Sequence, residues 1–240
     1  MKAMIFAAGT GSRLKSETSN KPKALVAVGG KPLLQHAIEK LKESGVTEIV
    51  VNVHHFADQI IHFIDKNDFD IPIYISDETG KLLDTGGGLK KAKHFLEDSS
   101  PILIYNVDIL SDIDLTEVKS AHQKSGALAT LVVRKRKTQR YLKFNKEKQL
   151  VGWVNRKNGE TKISRPEDFE HAKEMAFSGI HFVRAEIFQY IPEMDRFSII
   201  DLYLDLAKTH KIQGYFDSSE LWMDVGKPEQ LEEAREKFTN

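Results

Sequence analysis

Apolar positions recur along this chain with two alternating periods, and the change from one to the other marks out its elements. Ile5 to Ala8 is a short apolar run suited to a buried strand, and it runs into a glycine-containing loop. Ala24–Val28 reads as an extended piece closed by Gly29-Gly30, and Pro32 stands where a first helical turn accepts proline. Leu33, Leu34, Ala37, Ile38 and Leu41 follow at helical spacing, with Gly45 as a stop. Glu48–Val53 predicts a second strand, Ala57–Lys66 an amphipathic helix through Ile60, Ile61 and Ile64, and Ile71–Ile75 a third strand with Pro72 near its start. Strands alternating with helices in this way predict a parallel sheet covered on both faces.

The next segment, Asp84-Thr-Gly-Gly-Gly88, reads as a second glycine-rich loop opening onto a short helix at Leu89–Leu96. Pro101 to Asp108 is an almost fully apolar strand ending in an acid, and Asp108 would lie where open α/β sheets place their ligands. Asp114 and Glu117 have the spacing of a capping box, which predicts a helix to about Lys124. After Gly126 strands dominate: Ala127–Val133, Tyr141–Asn145, Leu150–Val154 and Met175–Val183, with a turn at Asn145–Gln149. A short helix at Ala185–Ile191, another begun by Ser198 and Asp201, strands at Ile212–Asp217 and Leu221–Val225, and a helix at Pro228–Phe238 complete the pattern. With neither linker nor repeat, this predicts one α/β domain with a mixed, mainly parallel central sheet. Residues 1–125 would form a nucleotide-type lobe, and residues 126–240 would add strands to the same sheet.

Composition narrows the function. The 240 residues carry 35 basic and 35 acidic side chains, so no global field draws the protein to nucleic acid or an anionic membrane. There is no cysteine, which removes disulfides, thiolate metal sites and a cysteine nucleophile. No run approaches the roughly 18 apolar residues of a membrane span, and the N-terminus goes directly into a strand. The expectation is a soluble cytoplasmic protein, monomeric or homodimeric.

The chemistry concentrates after the first strand. Gly9 and Gly11 free the backbone, Arg13 adds a fixed charge, and Lys21 and Lys23 flank Pro22. Exposed N–H groups with cations beyond them suit a polyphosphate. Leu14 stands where a dinucleotide fingerprint needs glycine or alanine, and the Gly-Lys-Ser/Thr of a Walker A loop is missing.

Ala7 to Leu14 together with Lys21-Pro-Lys-Ala-Leu25 resembles the signature of the sugar-1-phosphate nucleotidylyltransferases, or nucleotide-sugar pyrophosphorylases. The resemblance continues, in the family's order, through Val50-Val-Asn-Val-His-His55, Leu83-Asp-Thr-Gly-Gly-Gly88, Asn106-Val-Asp108, Phe177-Ser-Gly-Ile180 and Trp222-Met-Asp-Val-Gly226. It is strongest to the short members without an appended hexapeptide-repeat β-helix. These are the N-acetylmuramate-1-phosphate uridylyltransferases and their mannose-1-phosphate guanylyltransferase-like relatives.

The resemblance implies a Rossmann-like three-layer sandwich of the nucleotide-diphospho-sugar transferase type. It implies that a sugar 1-phosphate attacks the α-phosphorus of a nucleoside triphosphate, UTP with N-acetylmuramate 1-phosphate leading and GTP with mannose 1-phosphate close behind. Ala8, Gly9 and Gly11 would hold base and phosphates through their backbone, Arg13 would grip the β- and γ-phosphates, and Lys23 would bridge the reacting phosphates. Asp108 and Asp224 would hold Mg2+. Gly87 and Gly88 would let the nucleotide approach closely, and Ser178 and Gly179 would face the sugar. Asp84 would contact base or sugar, or else cap the following helix. Lys21 is open between ligand and surface charge, and Asn52 and His54 between ligand and structure. Val107 departs from the family, which commonly has glycine before the first aspartate.

Two rival readings stand beside this one. Asp112-x-Asp114 is the pair by which many glycosyltransferases hold a metal and a nucleotide sugar, although Asp114 also heads the capping box. A third class is a non-catalytic regulatory module on the same fold. The basic residues Arg134 to Lys137, with Arg140, Lys143, Lys146 and Lys148, read as solvated strand edges and not as a nucleic-acid patch.

Overall fold

The computed structural model describes residues 1–238, apart from the side chains of Lys15 and Ser16. In chain order its strands and α-helices are β1 (Lys2–Phe6), β2 (Ala27–Val28), β3 (Lys31–Pro32), α1 (Leu33–Glu43), β4 (Glu48–Val53), α2 (Ala57–Lys66) and β5 (Ile73–Asp77). Then come α3 (Asp84–Lys91), α4 (Lys93–Leu96), β6 (Ile102–Asn106), β7 (Ile109–Ser111), α5 (Leu115–Ser125), β8 (Ala129–Arg134), β9 (Arg140–Phe144) and β10 (Leu150–Asn155). The last are β11 (Thr161–Ile163), α6 (Pro166–Phe169), β12 (Lys173–Val183), α7 (Ile199–Leu206), β13 (Ile212–Phe216), β14 (Trp222–Asp224) and α8 (Pro228–Lys237).

One mixed sheet of ten strands runs through both halves of the chain in the order β11-β10-β9-β12-β6-β1-β4-β5, with β8 beside β12 and β13 beside β8. The block β6-β1-β4-β5 is parallel, whereas β12 joins β6 antiparallel along Ile180–Val183. Alternate side chains of each strand enter opposite layers, as the pleat requires. Ala3, Ile5, Val51 and Leu103 pack with Leu34, Ile38 and Leu41 of α1, Ile60 of α2 and Val118 of α5. Met4, Val50 and Ile104 pack on the other face with Leu89 of α3 and Leu202 and Leu206 of α7. The result is a three-layer α/β sandwich. A third, smaller core gathers Leu14, Val26, Val28 and Leu33 against Met223, Val225 and, from α8, Leu231 and Ala234. Among the described residues no helix is long and apolar enough to cross a membrane.

The structure corrects several sequence expectations. Asp84–Gly88 is not a loop; it forms the first turns of α3. Glycine is a poor helix former, and tertiary contact overrides that here. A Cβ on Gly86 would lie 2.2 Å from the Phe197 ring, and one on Gly87 would lie 2.0 Å from the Asp195 carbonyl oxygen. The N–H of Gly86 donates to Phe197 O at 2.9 Å, so α3 docks on the segment leading into α7. Lys23–Leu25 is a 3-10 turn, and Gly29-Gly30 makes the β2–β3 hairpin. The strand β7 and the short elements β11 and α6 were not foreseen. The basic run is solvated as expected at Lys135, Lys137, Arg140, Lys146 and Lys148, but it does not mark sheet edges, because β9 is flanked by β10 and β12 and β8 by β12 and β13. Arg134 bonds to Asp217 at 3.1 Å and Lys143 sits over the Phe169 ring, 4.0 Å from its centroid.

Two histidines lie in the core. His122 is hydrogen-bonded to Thr130 Oγ1 at 2.8 Å and His181 to the Tyr203 hydroxyl at 2.5 Å. Burial pushes their imidazoles down, to about 4 and about 3.

Two outcomes follow. Gly87→Ala should cost about 2–4 kcal/mol, read as a fall in thermal midpoint, while Gly80→Ala, where nothing lies within 4 Å, should be nearly neutral. Both histidines take up a proton at the ordinary value of 6.5 once unfolded, so the stability they carry is complete above 6.5 and is lost as pH falls towards 4. The loss should approach about 1.4 kcal/mol per pH unit for each of them. Denaturant titrations from pH 7 to 5 should give a shallower acid-side decline for His122→Gln than for the parent protein.

Candidate active site

The parallel block has a topological switch point: β4 lies on one side of β1 and β6 on the other. Ligands of such sheets bind in the crevice beyond the carboxyl ends of these strands, and here that crevice is entered by the loop after Phe6 and by Asn106-Val-Asp108. Asn52, at the end of β4, shapes the loop. Its Oδ1 accepts from the N–H groups of Ala7 and Ala8 at 2.7 and 3.3 Å, and its Nδ2 donates to Glu78 Oε1 at 2.7 Å. Glu78 is 1% exposed, and burial pushes its carboxyl above the usual range. His54 bonds through Nδ1 to the Glu78 carbonyl at 2.8 Å. Both residues left open in the sequence therefore serve the scaffold, although Asn52 also lines the cleft.

Beyond Ala8, Gly9 has nothing within 4 Å of a built Cβ, so its backbone is open to the crevice. Gly11 has φ +64, and a Cβ there would come 3.0 Å from both Lys23 and Thr18. Only glycine combines that left-handed backbone with such close neighbours.

The two predicted carboxylates meet because β7 and β14 pair antiparallel. Asp224 lies opposite Ile109, and Val225 N donates to Asp108 O at 2.9 Å. The Asp108 carboxylate bonds to the Lys23 ammonium, and Lys23 is 8% exposed. Asp224 Oδ1 is buried and makes no hydrogen bond. Burial and the neighbouring Asp108 both push the Asp224 carboxyl up, against Lys23, Arg13 and Arg136, which pull it down. Gly226 makes room for this grouping: a Cβ would lie 2.7 Å from Asp224 Oδ1 and 3.0 Å from Arg13 Nη2.

Two cavities, of about 460 and 640 Å³, share Arg13, Asp84, Asn106 and Asp108. Ala8, Gly9, Gly11 and Lys23 line the first; Ser178, Gly179 and Asp224 line the second. Ser178 and Gly179 lie in a bulge of β12 between Phe177 and His181, and Gly179 has φ +77. Asp84 has φ +62 despite its side chain, and its Oδ1 accepts from Thr85 N at 2.6 Å. Backbone strain of this kind collects at ligand sites.

Gly87 and Gly88 line neither cavity. Protein occupies the space their side chains would need, Asp195 in one case and Glu78 with Asn52 in the other. Lys21 also lines neither, with its ammonium 3.9 Å from Glu17. Sequence reasoning passed over Glu78, Asn106, Arg136, Arg196 and Gly226. Asn106 and Gly226 lay inside quoted motifs and Arg136 inside the basic run, whereas a lone glutamate and Arg196 carry no spacing that marks them.

The Asp112-x-Asp114 pair is spent on structure. Asp112 Oδ1 accepts from Leu221 N at 3.1 Å, and Asp114 caps α5 through Thr116 N at 2.8 Å. Among the described residues, no three His, Asp or Glu side chains gather to hold a metal. The donor set that fits a cation is Asp108 with the unpartnered oxygen of Asp224. Magnesium commonly takes one or two carboxylates and completes its shell with phosphate oxygens and water.

Comparison with known proteins bears on the fold and the family. The chain is 30% identical over 238 residues to the N-acetylmuramate alpha-1-phosphate uridylyltransferase of Caulobacter vibrioides, covering 95% of this chain and 92% of that one. It is 30% identical over 233 residues to the mannose-1-phosphate guanyltransferase of Yarrowia lipolytica, of which it spans 61%. The fold is similar to that of HddC from Yersinia pseudotuberculosis solved with GMP-PN, with TM-score 0.79, 24% identity and 99% of both chains covered. It is also similar to UDP-glucose pyrophosphorylase from Acinetobacter baumanii, with TM-score 0.81 and 18% identity over 99% of this chain and 92% of that one. The family model for nucleotidyl transferases matches residues 2–240, and the chain belongs to that family.

Proposed function

We propose that this chain joins a nucleoside triphosphate to a sugar 1-phosphate, giving a nucleoside diphosphate sugar and pyrophosphate. The observation that carries the reading is the Asp108–Asp224 pair: Asp108 lines both the cavity of the glycine-rich loop and that of the β12 bulge, and Asp224 lines the second. An oxygen of the sugar phosphate attacks the α-phosphorus, a P–O bond forms, and the bond to the pyrophosphate leaving group breaks. The nucleophile is already an anion, so no strong base is needed. The work is alignment and charge neutralisation.

Each named residue has a part in that work. The open backbone of Ala8, Gly9 and Gly11 supports the nucleotide, and Arg13 and Lys23 face its phosphates. Ser178 and Gly179 face the sugar. A magnesium ion held by Asp108 and Asp224 would neutralise charge on the transferring phosphate.

For the substrates, UTP with N-acetylmuramate 1-phosphate leads, in the service of cell-wall sugars. It is supported by the 30% identity to the uridylyltransferase relative over 238 residues, and the guanyltransferase relative is matched at the same identity. GTP with mannose 1-phosphate is the second reading. A glycosyltransferase that consumes the product is disfavoured because Asp112 and Asp114 are engaged elsewhere. The same proposal has the protein working in the cytoplasm, as a monomer or a homodimer, and its lack of cysteine suits that compartment.

Pyrophosphate release from a panel of NTP and sugar 1-phosphate pairs tests the reaction; hydrolysis or transfer of a nucleotide sugar with no pyrophosphate from any pair sinks it. Asp108→Asn and Asp224→Asn should each lower turnover by roughly a hundredfold or more with the thermal midpoint held, and undiminished activity removes that residue from the site. Lys23→Ala should lower turnover more than it lowers stability. An equal loss of both would make Lys23 structural.

A further inference from the structure

The sugar-side cavity contains a group whose position the reaction described above does not explain. Arg136 lies just beyond β8, with its guanidinium carbon 4.6 Å from the centroid of the Trp222 ring. Its Nη2 donates to the Phe177 carbonyl at 3.1 Å, and its Nε is buried with no partner. Burial pulls its pKa below the usual arginine value, and the nearby Asp224 opposes that. Among the described residues no carboxylate comes within ion-pair distance of it.

Arg134, two residues earlier, is the instructive contrast. It lies near the same indole, with 5.6 Å to the ring centroid, yet it reaches Asp217 at 3.1 Å and the Ser219 carbonyl at 2.9 Å. Arg134 is satisfied by protein. Arg136 has been desolvated without being paired, an arrangement that costs stability unless a ligand supplies the charge.

The surroundings indicate which charge. Ser178 Oγ and Asp224 Oδ1 are also buried without partners, so three orphaned polar groups line this one cavity. Trp222 links them. Its Nε1 donates to the Ser178 carbonyl at 3.0 Å, and β14 carries it two residues before Asp224. A ligand that meets Arg136 beside Asp224 brings its anion to the reacting end of the cavity. A fixed guanidinium fork suits a phosphate in particular.

We propose that Arg136, braced on Trp222, binds the phosphate of the sugar 1-phosphate and sets its position for attack. This rests on the nucleotidylyltransferase reading. Because it concerns the phosphate and not the sugar, its effect is the same for every acceptor the protein accepts.

Steady-state kinetics of Arg136→Gln and Arg136→Lys, with the best pair and at least one other sugar 1-phosphate, provide the test. Arg136→Gln should raise KM for each sugar 1-phosphate by roughly 10- to 100-fold, with KM for the NTP and the thermal midpoint little changed. Arg136→Lys should recover part of the loss. Equal rises in both KM values, a loss confined to one sugar, or no loss in either variant overturns the assignment. If the parent protein releases no pyrophosphate with any pair, it is the reaction that fails, and a titration then decides the residue. In a Trp153→Phe background, Trp222 fluorescence should respond to glucose 1-phosphate, mannose 1-phosphate and N-acetylmuramate 1-phosphate but not to the free sugars, and Arg136→Gln should abolish the response. Silence in the parent, or a response kept by the variant, overturns it.

Discussion

Two carboxylates held side by side and half hidden from water repel one another, and much of this molecule is arranged to sustain that. Asp108 and Asp224 come from segments more than a hundred residues apart in the chain, and only the short β7–β14 ladder makes them neighbours. Lys23 stands against the first, Arg13 passes the second over the bare backbone of Gly226, and Arg136 lies beyond. Against these cations works burial, the largest influence on Asp224, together with the repulsion from Asp108. Asp224 keeps one oxygen without a partner and a carboxyl pushed above the usual range. Buried polar atoms are as a rule hydrogen-bonded, and this oxygen is an exception.

Much of this was legible in the sequence because apolar periodicity and local motifs are written in consecutive residues. The strands at Glu48–Val53 and around Leu103, the helix from Leu33, and the cap at Asp114 all depend on near neighbours. What escaped depended on distant ones. Asp84–Gly88 was misread as a loop because nothing within it reveals that Phe197 and Asp195 will press against Gly86 and Gly87. Glu78 was missed because its importance comes from Asn52, 26 residues away in the chain. Arg136 was taken for surface because an arginine that stacks on a distant tryptophan looks, in sequence, like any other in a basic run.

The Asn52–Glu78 tie also explains why the glycine-rich loop needs so little sequence of its own. Its first two N–H groups are held by a side chain of the neighbouring strand, and that side chain is in turn held by a buried acid. The loop is thereby pre-shaped, and ordering it on binding costs less than ordering a free glycine-rich segment. Gly9 and Gly11 then serve different ends: one leaves its backbone open to the crevice, and the other permits a left-handed turn against Lys23 and Thr18.

The small third core has a consequence in time. The opening loop is among the first parts of the chain to be synthesised, yet Leu14 packs with Leu231 and Ala234 of α8, and Glu17 bonds to Arg235 at 3.1 and 3.2 Å. The second carboxylate arrives only with β14. Chains are made from the N-terminus onward, so a nascent chain can lay down the whole parallel block while its glycine-rich loop still lacks its final support. Completion therefore comes late and together: the acidic pair is finished at Asp224, and the loop's support follows directly in α8, from Leu231 to Arg235.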